Sequence, residues 1–279
     1  MTAATIQGSM IPTNEPTRRE LFTDVVRSEW TKIRTVRSTF WTLFAAVFVM
    51  IAIAAIAGLV TANGWNKMNL ADRAKFNAVE VGVAGAFFAQ LAIGVLGVLV
   101  MTTEYGTGMI RATFGAVPQR RYVLWAKAAV FTAVSLVVGI VSSFIAFFVG
   151  QATLATHAGD HLSVSITSPG ALRGVIGAGV FLAAMGLLGL ALGAVIRRSA
   201  GAITGLFALV FFLPGLLQLL PSSIKDNLNK YLPSNAGSAI YRQVSAHDVL
   251  SPGAGLAVLV AWGVIALAVA AYFIQRRDA

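Results

Sequence analysis

Six stretches of this chain contain no Asp, Glu, Lys or Arg, and each is long enough to cross a lipid bilayer. They run over 38–66, 81–103, 128–159, 174–196, 199–224 and 249–275. A helix needs about 20 apolar residues to span the hydrocarbon core, and one charge at its centre costs about 2.5–3.5 kcal/mol. In lipid, backbone polar groups must be satisfied within the segment, so long apolar runs become helices. The pattern predicts an all-α membrane protein with spans near 40–61, 80–102, 124–149, 172–195, 200–220 and 254–274. Composition agrees: 57% of the 279 residues are hydrophobic and only 11% charged, about half the charge of a soluble domain.

The first run is too long for a signal-peptide core and lacks a small-residue cleavage site, so it is expected to persist as a span. The net charge of +10 does not point to nucleic acid, because the bases flank the apolar runs, as they do at a membrane surface. With both termini cytoplasmic, fourteen of the 21 Lys and Arg fall inside. That bias predicts an N-in, C-in protein of the cell membrane. There is no cysteine, which removes disulfide and thiolate chemistry.

The polar segments differ in character. Residues 1–19 are rich in Thr, Pro and Asn and are expected to be disordered. Over 20–39, Leu21, Phe22, Val25, Val26, Trp30, Ile33 and Val36 recur at three- and four-residue steps, with Lys32, Arg34 and other bases mainly on other faces. This predicts an amphipathic interfacial helix with Trp30 at headgroup depth. His157, Asp160 and His161 share the second outer loop, but Gly159 argues against the helix that would align them, so no metal site is predicted. In the 216–250 segment, Pro221 and Pro233 predict two short helices, the second capped by Ser234 or Asn235. Its persistent leucines suggest partial re-entry into the membrane. Pro214-Gly215 should break or kink the fifth span.

Catalytic motifs are missing. No phosphate-cradling GxxxxGK[ST], HExxH or GxSxG occurs, so the chain is not its own ATPase, protease or esterase. Glu80 and Glu104 lie at opposite ends of the second span and only neutral polar groups such as Gln90, Ser135, Ser142, Ser143 and Thr204 lie inside the spans, which disfavours an ion-coupled carrier. Gly189/Gly193 and Gly201/Gly205 allow close helix approach, read as packing within the chain rather than as a dimer seam.

Six spans, no motor, the helix "SEWTKIRTVRSTFW" and the 104–127 loop "EYGTGMIRATFGAVPQRRYVLWAK" together resemble the ABC-2 type permeases. These are membrane subunits of bacterial ABC exporters whose ATPase is a separate chain. The segment "KYLPSNAGSAI" at 230–240 looks like the outer segment of actinobacterial members. The resemblance implies an ABC-2, type V exporter-like architecture, a homodimer or close heterodimer, and two ATP-binding subunits that hold ATP and Mg; this chain itself would bind no cofactor. Residues 20–39 become a connecting helix, represented by Trp30, Lys32 and Arg34, and 104–127 the loop that couples to the ATPase. An importer's loop would begin E-A-A; here Tyr105-Gly106 follow Glu104, so export is preferred.

The residues suit that role. Glu104 sits at the membrane exit, where it can pair with Arg111 or another base. Gly106 and Gly108 permit the turn. Residues 109–116 can form a short helix presenting Met109, Ile110 and Phe114, ended by Pro118. Arg120, Arg121 and Lys127 then hold the return at the anionic leaflet. The resemblance further implies that the second and fifth spans line the substrate path. Candidate lining residues are Phe87, Phe88, Gln90, Phe207, Phe211 and Phe212, with Leu213, Pro214, Leu216 and Leu217 as an apolar outer gate. An apolar or amphipathic substrate (drug, antimicrobial peptide or lipid) fits spans without fixed charge. A motor-independent carrier or channel, or a non-transporting scaffold, are the alternative readings.

Overall fold

Each charge-free run forms helix, and the breaks fall where charge, proline or glycine returns. The computed structural model describes residues 18–117, 119–158, 162–243 and 249–277. No strand occurs among them. Residues 1–17, expected to be disordered, and Pro118, Asp160 and His161 lie outside the described residues, as does the side chain of His157.

The order is α1 (Arg18–Thr35), α2 (Arg37–Gly64), α3 (Leu70–Ala74), α4 (Ala78–Gly82), α5 (Ala86–Gly106), α6 (Met109–Ala116) and α7 (Arg120–Ala158), followed by α8 (Ala171–Ile196) and α9 (Ser199–Phe207). Then come α10 (Leu213–Leu217), α11 (Ser222–Asn229), α12 (Pro233–Tyr241) and α13 (Pro252–Arg276). Six helical segments are long and apolar enough to span a membrane. Val36, in extended conformation, separates α1 from the first span.

Packing follows the rule that small residues face protein and large apolar ones face lipid. In α2 the buried positions are Thr39 and then Ala46, Met50, Ala54, Gly58 and Ala62, one every four residues. Phe40, Trp41, Phe44 and Phe48 are exposed around the rest of the helix. The fourth span, α8, is the central one: 72% of its most apolar window is buried against protein, compared with 17% for the fifth span. It packs on α5, α7, α12 and α13.

Three local departures from regular helix have identifiable causes. The second span is split into α4 and α5 at residues 83–85, where Gly85 lies so close to Met50 that a Cβ there would sit 2.2 Å from the Met50 carbonyl oxygen. Gln151 of α7 ties the start of α4 to the segment before α8. Its Nε2 donates to Ala78 O at 2.8 Å, and its Oε1 accepts from Val164 N at 2.8 Å. The expected break at Pro214 is instead a π-helical turn over 208–212, closed by Leu213 N–H donating to Ala208 O. Proline lacks the N–H and crowds the carbonyl four residues back; the wider turn absorbs both defects without ending the helix.

Helix α12 also corrects the sequence reading. Pro233 is its first residue and Leu232 its cap, with no side-chain cap bond, because proline at the first helical position needs no N–H partner. Ser234 and Asn235, expected as caps, bond elsewhere. The helix is buried within the bundle: Gly237 meets Phe181 and Gly177 meets Ile240. By contrast, α11 has no buried residue.

Candidate functional site

The amphipathic stripe of α1 contains an acid. Among the described side chains of this helix Val25 and Glu29 are the two buried ones, with Phe22, Val26 and Ile33 partly buried on the same side. Glu29 is 2% exposed. A carboxylate does not enter an apolar interface unpaired, and its partner comes from α7. Lys127, in the second turn of that helix and 1% exposed, donates through Nζ to Glu29 Oε2 and to Glu104 Oε1 at 2.8 Å. Lys32, one turn beyond Glu29, donates to Glu29 Oε1 at 2.7 Å and to Glu104 Oε1 at 2.8 Å.

The result is a closed cluster of two acids and two lysines, neutral in sum, that ties together α1, the end of α5 and the start of α7. These are the two helix ends that flank α6, plus α1. Burial alone would lower the Lys32 pKa, but hydrogen bonds to Glu104 and Glu29 outweigh it and hold the ammonium above its ordinary value. A raised pKa means the Lys32 contribution is complete below the usual lysine value. It fades only as pH rises through the higher folded one.

Glu104 was expected to pair with Arg111 or another base; the structure supplies two other bases, Lys32, 72 residues earlier, and Lys127, 23 later. Lys127 is therefore not a leaflet anchor: α7 turns it into the protein, where it is 1% exposed. Arg120 is drawn to helix termini as well. It donates to Ile274 O at 3.4 Å and Arg277 O at 3.1 Å, where α13 leaves carbonyls unsatisfied. Arg197 donates to Arg277 O at 3.2 Å, with its guanidinium 5.0 Å from the Tyr105 ring.

Between the flanking helices, Gly108 takes a left-handed conformation (φ 73°) and starts α6. The helix covers the predicted 109–116, but it turns Ile110 and Phe114 inward, where both are buried beside Val25, Val123 and Leu124. These two, expected on a docking face, anchor α6 to the helix bundle instead, because an apolar pair four residues apart buries itself in the nearest core. Met109 stays 47% exposed, and Arg111, Ala112, Gly115 and Ala116 share the exposed surface. On α1, Trp30 is exposed, with the Arg34 guanidinium 5.9 Å from its ring.

The candidate path residues divide. Phe87, Phe88, Phe207, Phe211 and Phe212 are all exposed. Phe211 bridges the second and fifth spans, 5.8 Å from Phe87 and 5.9 Å from Phe207. Gln90 is fully buried, donating to Phe87 O at 2.8 Å and accepting from Ser234 Oγ at 3.1 Å. It links α5 to α12. Gln90→Leu should cost about 1–3 kcal/mol by stranding a buried hydroxyl, read as a fall in stability against wild type. Of the four gate candidates, Leu213 and Leu216 are exposed, Pro214 is intermediate and Leu217 is buried.

Glu29 is the functional candidate that the sequence reading missed. Its signal was present: it lies four residues from both Val25 and Ile33 on an otherwise apolar face.

A family model described as ABC-2 family transporter protein matches residues 25–216. This chain belongs to that family. The match runs from α1 to α10 and contains all four members of the ion cluster. Among curated proteins, none matches the chain. As an ABC-2 permease it is a multi-pass membrane transport component that associates with an ABC ATP-binding subunit.

Proposed function

We propose that this ABC-2 permease is the transmembrane half of an ATP-driven exporter of an apolar or amphipathic substrate. The observation that carries the reading is the buried ion cluster joining α1, α5 and α7 around α6. A separate ATP-binding subunit, holding ATP and Mg, presses on α6, and the cluster makes the three adjoining helices move with it. Bistable, tightly packed joints of this kind convert small displacements into helix shifts. The docking surface is the exposed side of α6, with Met109 and Arg111.

The end bearing α1, α6 and the Arg197–Arg277 contacts faces the cytoplasm of a bacterial cell, in keeping with its surplus of bases. Two copies of the chain and two ATP-binding subunits form the working unit. The exposed aromatic face of Phe87, Phe207 and Phe211 meets its equivalent in the second copy and lines the path, with Leu213 and Leu216 above it.

The test is ATP hydrolysis by the reconstituted complex with the ATP-binding subunit encoded beside this chain. Met109→Asp combined with Arg111→Glu should reduce permease-dependent ATPase activity about tenfold, equivalent to ~1.4 kcal/mol of docking energy, while leaving the thermal midpoint of the permease unchanged. Unchanged hydrolysis, or flux that persists in ATP-depleted vesicles and follows an ion gradient, overturns the proposal.

A further inference from the structure

Beside the ion cluster lies a cavity of about 220 Å³, between the α1–α2 junction and the last three turns of α5. Its lining combines apolar and charged side chains. Leu96, Leu99, Val100 and Val36 form an apolar wall, while Glu104, Lys32 and Lys127 form a charged floor. Leu96 lies within the span and Thr103 and Thr107 at its end, so the cavity crosses the level at which the second span leaves the lipid.

The floor is incompletely satisfied in one direction. Both oxygens of Glu29 accept from lysines, and Glu104 Oε1 accepts from two. Glu104 Oε2 is buried and accepts from no group in the protein, although the residue is only 3% exposed. A buried carboxylate oxygen without a donor is costly. Glu104 lines the cavity, so a donor that enters it can reach this oxygen while Oε1 keeps both lysines. A phosphate or carboxylate brings only acceptors and leaves it unsatisfied.

From this we infer that the cavity is a binding site for a long-chain primary amine, whose ammonium donates to Glu104 Oε2 and whose alkyl chain lies along Leu96, Leu99 and Val100. An ammonium with N–H groups forms a charge-assisted hydrogen bond that a quaternary ammonium cannot. The site is separate from the aromatic face of the second and fifth spans, and its occupancy does not depend on the export reading.

Binding is tested on the full-length permease in phosphatidylcholine nanodiscs without nucleotide, with empty nanodiscs correcting for partition. Dodecylamine should saturate a site about tenfold or more tightly than dodecyltrimethylammonium, with no saturable binding of dodecanoate. Leu99→Trp fills the wall and Val36→Trp the mouth. Each should weaken dodecylamine binding by about tenfold with an unchanged thermal midpoint, and Val36, being 45% exposed, tolerates the larger side chain. Replacing part of the phosphatidylcholine with phosphatidylethanolamine identifies the source: competition assigns the site to an aminolipid headgroup, and its absence to a free amine. Equal binding of all three probes, or full-strength dodecylamine binding by both wall variants, overturns the proposal. Loss of ATPase coupling in Arg111→Glu, which lies outside the cavity lining, with dodecylamine binding intact separates the two readings.

Discussion

Lys127→Met should destabilise the protein by about 3–5 kcal/mol, the penalty for removing one partner from a buried ion pair. The substitution retains much of the stem's volume, so the loss is electrostatic. Glu29 and Glu104, at 2% and 3% exposure, then share only Lys32, whose side chain is itself 27% exposed. The magnitude does not mean that the cluster contributes that much net stability, since bringing four charges out of water offsets most of their attraction. The distinction is measurable. Glu29→Gln added to Lys127→Met should recover part of the loss, because it withdraws the charge left behind. Equilibrium unfolding in mixed micelles of the two single variants and the double gives the coupling energy. Strictly additive losses would show that Lys127 acts by packing alone. In the reconstituted complex, the same variants should lose ATPase stimulation in proportion to the coupling energy.

What could be read from the sequence divides along a physical line. The spans were legible because hydrocarbon imposes one strong, local requirement on every residue within them, and six charge-free runs satisfy it. The short helix at 109–116 was legible because Gly108 and the charged, glycine-rich flanks bracket it. Partnerships were not. Glu29 and Lys127 are 98 residues apart, and each reads locally as something ordinary, an interfacial acid and a positive-inside lysine. Only the packing of α1 on α7 makes them a pair. Ile110 and Phe114 were legible as the apolar face of α6, but which surface that face meets depends on where α1 and α7 stand. Gln90 was read as a polar group on a path because nothing in its neighbourhood discloses Ser234, 144 residues later.

The largest packing effect is expected at the crossing of α5 and α8. A Cβ at Gly97 would lie 2.1 Å from Gly186 O, and one at Gly189 would lie 2.0 Å from Gly94 O. The two contacts are reciprocal: each helix sets a glycine against the other's backbone, so neither clash can be relieved by rotating a side chain. Gly193 extends the seam, with a Cβ there 2.9 Å from Val98 O. The Gly189/Gly193 spacing is thus packing within the chain, as the sequence suggested. Overpacking ordinarily costs about 1–3 kcal/mol and occasionally more. Here the helices must separate, giving up dispersion along the central span of the bundle, and Gly189→Val should reach or exceed the upper figure. It should appear as a lost or broadened unfolding transition and a fall in the membrane-inserted fraction. Gly205→Ala is the matched control. Its Cβ would be 3.4 Å from the flexible end of Ile196, an ordinary contact, and removing a helical glycine favours the helix by up to about 1 kcal/mol. If Gly189→Val unfolds at the wild-type midpoint, the close crossing of the second and fourth spans is not what holds the bundle together.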